Sequence, residues 1–180
     1  TPETVPEVWL LGSSDYSAQL SGVLSLPFAF ADFFGFTGDH GPVIADLYRR
    51  DFKPSDRLPE PKLNVTVQVI CAPTDEEARL IGSSRRISRA VSAGGKGKGL
   101  LAPEEAAEYS LSEESRIYIE RSNKWAIEGT PETVKEGILA ASERYGTTNI
   151  GIVTNCYHFS DRVRSFQLVA EAFGLRPDGG

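Results

Sequence analysis

One short segment near the start of the chain carries residue types that suit an anion. The sequence VWLLGSSDYS changes abruptly at Gly12 from apolar residues to small and polar ones. The apolar part, residues 8–11, predicts a buried strand, and the serines and Asp15 that follow are favourable helix caps. A strand, a polar turn and a helix N-terminus in this order expose backbone N–H groups and the positive end of the helix dipole. The segment therefore suits a phosphate.

A second interpretation of the same turn needs no ligand. The N-terminus of a helix is commonly capped by side chains of its own turn. The Asp15 carboxylate could accept hydrogen bonds from the same amides that a phosphate would use. On the residues alone, a capped strand-to-helix loop that binds nothing stays the simpler interpretation.

The two histidines are weaker candidates for a catalytic or metal-binding role. His40 and His158 each follow a predicted strand, which favours a position near the same end of a sheet, but neither has a paired acid in view. They lie far apart with no metal-ligand spacing around them, so we expect no metal site. A hydrolase triad of Ser14, His158 and an aspartate lacks the G-x-S-x-G elbow and is not favoured.

Arginines fall into two groups that could bind an anion. Arg49 and Arg50 end a predicted helix, where cations suit the dipole, although they could also hold a phosphate or a partner's carboxylate. Arg85, Arg86 and Arg89 precede the glycine-rich GGKGKG and could form a lid over a ligand or a mobile, solvated surface. The glycine run lacks the GxxxxGK[ST] spacing of a phosphate loop.

Composition and charge exclude several classes of function. The 180 residues carry a net charge of −6, so no overall positive field attracts nucleic acid. No apolar run approaches the roughly 20 residues that cross a bilayer, and the first residues lack the pattern of a signal peptide. Cys71 and Cys156 sit in apolar runs, which predicts buried free thiols in a reducing cytoplasm, with a disulfide between neighbouring strands as the alternative. We expect a cytoplasmic protein that contacts neither nucleic acid nor membrane.

Predicted strands and helices alternate along the chain. The strands cover residues 8–11, 27–31, 63–72 and 148–158, and the helices cover residues 16–24, 41–52, 76–84, 131–145 and 160–173. Thr74, Thr130 and Ser160 are predicted helix caps. The alternation predicts a parallel sheet covered by helices. Four βα units fit either a small open sheet or half of a (β/α)8 barrel.

Apolar spacing predicts which face of each helix packs on this sheet. The predicted inner faces are Leu20, Val23 and Leu24 in the first helix, Val43, Leu47 and Tyr48 in the second, Val134, Ile138 and Tyr145 in the fourth, and Val163, Phe166, Ala170 and Phe173 in the last. Residues 82–124 show no clear pattern. We expect a single domain over residues 1–180, with 82–124 as a mobile excursion or lid within it.

Four motifs in sequence order give the chain a family resemblance. They are PEVWLLGSSDYSAQLSGVLSLPFAFADFF, YRRDFKPS, VQVICAPTDEEAR and IEGTPETVKEGI, which are spread over residues 6–138. In wording and order they resemble the bacterial luciferase-like, flavin-dependent monooxygenases. The resemblance implies an α/β fold that forms the C-terminal half of a (β/α)8 TIM barrel, with about four βα units and parallel strands.

The resemblance also implies what the polar turn binds. In this family the turn receives the phosphate of reduced FMN at the C-terminal face of a barrel strand. Carried over to this chain, Gly12 would allow close approach, Ser13 and Ser14 would offer amides and hydroxyls, and the amide or hydroxyl of Tyr16 would complete the site. No catalytic residue is carried over, because the family's first half, which usually supplies such groups, has no counterpart here.

The implied activity belongs to a parent protein larger than this chain. It would oxidise a small organic substrate with O2 and reduced FMN, the latter supplied as cosubstrate by a separate NAD(P)H-dependent flavin reductase. The chain alone is expected to be inactive. The alternative is a non-catalytic flavin-binding or scaffold half-barrel. Because half a barrel leaves unpaired sheet edges, we also expect a homodimer or higher assembly.

Overall fold

A parallel β-sheet and the helices that connect its strands make up the structure, a computed structural model that describes residues 6–35, 37–95, 97 and 99–175. The strands are β1 (Leu10–Gly12), β2 (Phe28–Ala31), β3 (Leu63–Cys71), β4 (Ile127–Gly129) and β5 (Ile150–Val153). The α-helices are α1 (Asp15–Val23), α2 (Gly41–Asp51), α3 (Asp75–Ala93), α4 (Pro103–Ala107), α5 (Glu113–Asn123), α6 (Pro131–Tyr145) and α7 (Phe159–Ala172). Short 3₁₀ turns cover Asp32–Phe34 and Gly38–His40.

Strand β3 organises the sheet. It pairs in parallel with β2 through residues 63–66, with β5 through residues 65–68 and with β4 through residues 69–71. Strand β1 pairs with β2 and, within the described residues, with no other strand, so it forms an edge. The predicted α/β fold with parallel strands is confirmed. Strand β4 was not predicted, because three residues are too few to show a periodic pattern.

Alternate residues of β3 build the main core. Val65, Val67 and Val69 are buried, and they belong to one cluster with Val134 of α6 and Leu168 of α7. Valines suit this position because a β-branched side chain packs well on a pleated, covered surface. The helices that follow β4 and β5 therefore cover one face of the central strand.

Helix α1 buries a different face from the predicted one. Its buried residues are small, namely Ala18, Ser21 and Gly22, whereas Val23 and the following Leu24 are about half exposed. The reason is the close packing of α1 against the end of α2. A Cβ atom added at Gly22 would lie 2.9 Å from the backbone carbonyl carbon of Asp51. Only small side chains fit between helices that approach so closely.

The inner faces of α2 and α7 also differ in part from the prediction. Helix α2 buries Ile44, Ala45 and Tyr48, and α7 buries Ser165, Leu168 and Val169, whereas Val43 and Val163 are more exposed. The Ser165 hydroxyl accepts a 2.9 Å hydrogen bond from the amide of Cys71 at the end of β3. A polar residue therefore faces the sheet because it satisfies a buried backbone donor, which an apolar pattern does not reveal.

Helix ends are mostly as predicted. Thr74 and Thr130 accept hydrogen bonds from the third amide of their helices, and Gly146 ends α6 in the left-handed conformation with φ of 58°. The predicted cap at Ser160 is wrong. Helix α7 begins at Phe159 with His158 as its N-cap, so Ser160 already lies in the first turn.

Residues 82–124 are largely helical, which the sequence did not predict. Helix α3 continues to Ala93, and α4 and α5 follow before β4. The buried face of α3 carries serines and an arginine as well as apolar residues, so its periodicity is weak. Lys96 and Lys98 of the glycine-rich run lie outside the described part. Movement of this region as a lid stays a prediction.

Both cysteines are free thiols, and the alternative of a disulfide is wrong. Cys71 is buried at the end of β3, and Cys156 is partly buried after β5. Burial, with a smaller contribution from nearby carboxylates, raises the pKa of each thiol to about 11. In the described part of the chain, no helix is long and apolar enough to cross a membrane.

The close contact between α1 and α2 predicts a specific loss of stability. We expect Gly22→Ala to lower the free energy of unfolding by about 1–3 kcal/mol, because the new methyl group overlaps the backbone of α2. Urea unfolding followed by circular dichroism measures the change. Gly94→Ala is the matched control, since a Cβ there meets nothing nearer than 3.5 Å. Equal effects at both positions would contradict this packing.

Candidate functional site

The polar turn after β1 is held together by two serines. Ser14 is the N-cap of α1, in an extended conformation, and its hydroxyl accepts a hydrogen bond of 3.3 Å from the amide of Ser17. In return the Ser17 hydroxyl accepts from the Ser14 amide at 3.2 Å. This reciprocal arrangement is a capping box with serine in place of the usual glutamate. Two of the amides at this helix end are therefore used within the turn.

Gly12 makes this arrangement possible. A Cβ atom at Gly12 would overlap the side chain of Ser17. The sequence predicted that the absence of a side chain here would admit a phosphate, whereas in the structure the space accommodates the Ser17 hydroxyl. Ser17 was not among the predicted site residues, although its spacing of three residues from Ser14 is typical of a capping box.

Three other amides of the turn remain available. In the part of the chain that the structure describes, the N–H groups of Ser13, Asp15 and Tyr16 donate to no other group. The side chains of all three are exposed, that of Tyr16 to 73%. These amides lie at the positive end of the α1 dipole and at the carboxyl end of β1. Binding of an anion by these amides stays a prediction.

The Asp15 carboxylate does not occupy these amides. Its Oδ1 atom lies 3.0 Å from Nε2 of His40, which precedes α2. A carboxylate is only an acceptor when ionised, so the ring nitrogen donates in this bond. The expectation that His40 has no paired acid is therefore wrong, because the two residues are separated by 25 positions and meet only in the folded chain.

A buried carboxylate holds the loop that carries His40. Asp32 follows β2 and accepts hydrogen bonds from the Tyr145 hydroxyl at 2.7 Å, the Thr37 hydroxyl at 2.7 Å and the Arg144 guanidinium at 3.2 Å. Burial, and then the negative charge of Asp32, raises the pKa of the Tyr145 phenol well above its usual value. Asp32 was not predicted as a site residue, because two of its three partners lie on a helix more than 100 residues away.

The arginines before the glycine run are not a solvated patch. Arg85 is only 2% exposed, and Arg85 and Arg86 both bind the carboxylate of Glu128 in β4. Burial lowers the pKa of Arg85 despite this partner. Arg89 donates to the carbonyl of Phe34. These contacts tie α3 to β4 and to the turn after β2.

The remaining predicted candidates have structural partners. Arg49 donates to the carbonyl groups of Tyr145 and Gly146 at the end of α6, and Arg50 pairs with Asp51. The ring of His158 packs edge-on against Tyr157, at 4.9 Å between centroids. Within the described residues, no group of three or more metal-ligating side chains could hold a metal ion.

Known proteins resemble this chain over almost its whole length. It is 39% identical over 175 residues to the uncharacterized protein YwcH of Bacillus subtilis (strain 168), and 30% identical over 169 residues to a luciferase-like monooxygenase of Escherichia coli (strain K12). Each alignment covers 94% of this chain but only 51% and 50% of the respective relative. The chain thus spans about half the length of the curated relatives it matches. No family model matches the chain.

Solved structures show the same relationship. The crystal structure of apo-MsnO8 matches with a TM-score of 0.76 and 29% identity, over 96% of this chain and 52% of that one. The oxygenating constituent of 3,6-diketocamphane monooxygenase from Pseudomonas putida, in complex with FMN, shares the fold with a TM-score of 0.59 and 20% identity, over 93% of this chain and 48% of that one. The resemblance drawn from the four sequence motifs is confirmed: the chain is a relative of the luciferase-like monooxygenases.

Proposed function

We propose that this chain is the flavin-phosphate part of an FMN-dependent monooxygenase. The observation that carries the proposal is the set of three amides at the start of α1, from Ser13, Asp15 and Tyr16, which are exposed and unpaired among the described residues. They lie at the carboxyl end of a strand, the end at which barrel enzymes place their sites. A solved protein of the same fold is described in complex with FMN. This supports a flavin as the molecule whose phosphate binds at the turn.

The residues of the turn fit a phosphate group. Ser13, Asp15 and Tyr16 would donate through their amides, with the Ser13 hydroxyl as a further donor, and the dipole of α1 favours the negative charge. Gly12 and Ser14 would act by shaping the turn, because the hydroxyl of Ser17 fills the space beside Gly12 and Ser14 caps the helix. All four residues predicted for the cofactor site therefore keep a role in the proposal.

The chemistry itself would come from the cofactor. Reduced FMN reacts with O2 and delivers oxygen to a small organic substrate, while the protein binds, orients and excludes water. The turn after β1 would contribute binding and orientation by fixing the phosphate end of the flavin. As partners we propose an NAD(P)H-dependent flavin reductase, which supplies the reduced cofactor, and the substrate.

Flavin titration tests the role of the amides. We expect FMN to bind more tightly than riboflavin, which lacks the phosphate. Asp15→Pro removes one amide at the first helical position, where proline is favoured and the extended Ser14 precedes it. We expect about tenfold weaker FMN binding and unchanged riboflavin binding, measured by flavin fluorescence.

Asp15→Ala is the matched variant for this substitution. It removes the same carboxylate but keeps the amide, so we expect FMN binding a few-fold tighter, as a negative charge beside the phosphate is lost. Equal losses in both variants would show that the amide of residue 15 makes no contact. Equal affinity of the wild-type chain for FMN and riboflavin would refute the phosphate site.

A turnover assay separates the monooxygenase from the non-catalytic alternative. We expect the chain to bind flavin without consuming a substrate, and the parent protein, with both halves of its barrel, to oxidise one. The assay supplies reduced FMN, O2 and a set of long-chain aldehydes or alkanes, and product is detected by mass spectrometry. A parent protein that binds FMN but oxidises none of these compounds would favour the scaffold function.

We further propose that the chain associates with a second copy. Strand β1 is an edge in the described sheet, and Leu11 on it is 66% exposed. An exposed edge strand with apolar side chains favours pairing with another chain. Light scattering after size-exclusion chromatography is expected to give about twice the mass of one chain at micromolar concentration. A stable monomer would contradict the proposal, and Leu11→Lys should reduce the dimer fraction.

A further inference from the structure

The Asp15 carboxylate stands beside the proposed phosphate site and competes with its ligand. It is the first residue of α1, where a carboxylate repels a phosphate and can accept hydrogen bonds from the same amides. We propose that His40 is a positioning residue that draws this carboxylate away and thereby keeps the amides accessible to a phosphate monoester. The inference rests on the proposed flavin-phosphate function.

The contact between the two side chains carries the inference. Oδ1 of Asp15 lies 3.0 Å from Nε2 of His40, within hydrogen-bond distance. Both side chains are about half exposed, so water competes for them and neither is trapped by packing. Among the described residues, the His40 ring is the group that binds the Asp15 carboxylate. The direction of this carboxylate therefore depends on one side chain.

The position of His40 is fixed from outside α1. In its loop, the Thr37 hydroxyl donates to the buried Asp32, and Lys124 pairs with Asp39 at 2.7 Å. Directly after His40, a Cβ atom at Gly41 would overlap the hydroxyl of Tyr145. The Tyr145 side chain therefore packs against the backbone at Gly41. Packing and hydrogen bonds on both sides of His40 thus hold its backbone close to the start of α1.

Helix α1 carries no basic side chain that could pair with Asp15. Asp15 is its one charged residue, and no basic residue lies in its last turn. Without His40, the helix dipole would attract the carboxylate towards its own first amides, as acidic residues commonly do at helix N-termini. The carboxylate would then occupy the donors that a phosphate needs. Loss of His40 should weaken phosphate binding only while Asp15 is present.

A double-mutant cycle measures this dependence. FMN dissociation constants are determined by fluorescence for the wild-type chain, His40→Ala, Asp15→Ala and the double variant. We expect His40→Ala to bind FMN about five- to tenfold more weakly and the double variant to bind as tightly as Asp15→Ala. His40→Gln should recover most of the affinity, because its amide can still donate to the carboxylate. Asp46→Ala, which removes an exposed acid paired with Arg49, is the charge control.

Amide chemical shifts provide a readout that needs no flavin. In ¹⁵N-resolved spectra of the flavin-free chain, we expect the amide protons of Ser13 or Tyr16 to move downfield in His40→Ala and to return in the double variant. If these shifts are seen but the wild-type chain does not prefer FMN over riboflavin, the positioning of Asp15 by His40 is supported and the proposed flavin-phosphate function is refuted. Unmoved amides in His40→Ala, or a double variant as weak as His40→Ala, would overturn the inference.

Discussion

The carboxylate of Asp32 is buried at the carboxyl end of β2, and a buried charge is stable only when donors surround it. Tyr145 and Arg144 approach it from α6, and Thr37 approaches it from the loop that follows. One group thus joins the central sheet, a covering helix and the loop before α2. Because this loop carries His40, the contact between His40 and Asp15 at the polar turn depends on an interaction that the turn itself does not contain.

The same dependence appears in the electrostatics of the turn. Its two serines satisfy each other's amides and leave three further donors unpaired in the described structure. A helix N-terminus with unpaired amides attracts any nearby anion, including a carboxylate of the same helix. The chain places such a carboxylate at Asp15 and provides His40 to bind it. In the proposed site, anion affinity would depend on the balance between the Asp15 carboxylate, which competes with the ligand, and His40, which binds that carboxylate.

Close packing explains why small residues stand both in this turn and at the far end of α1. Gly12 leaves room for the Ser17 hydroxyl, and Gly22 lets the end of α2 approach the backbone of α1. The charged contacts of α3 also hold elements together, since Arg85 and Arg86 both bind the carboxylate of Glu128 in β4. A buried pair of this kind contributes mainly by fixing which elements meet, because desolvation offsets much of its attraction.

The sequence by itself determined the parallel α/β alternation, the long strand β3 and the caps of α6, and it predicts the turn at Gly12 to Tyr16 as an anion site. These features are local: valine-rich runs, capping residues and proline or glycine at helix ends act within a few positions. The family resemblance followed from the same local motifs, and the comparisons confirmed it over 94% of the chain.

Tertiary structure alone decided which helix faces are buried and which charges meet. The small-residue face of α1 follows from how closely α2 approaches, and the serine on the inner face of α7 follows from an unpaired amide of β3. The pairs His40–Asp15 and Tyr145–Asp32 join residues 25 and 113 positions apart. No spacing rule in the sequence reports such contacts, because they arise only when separate elements pack against one another.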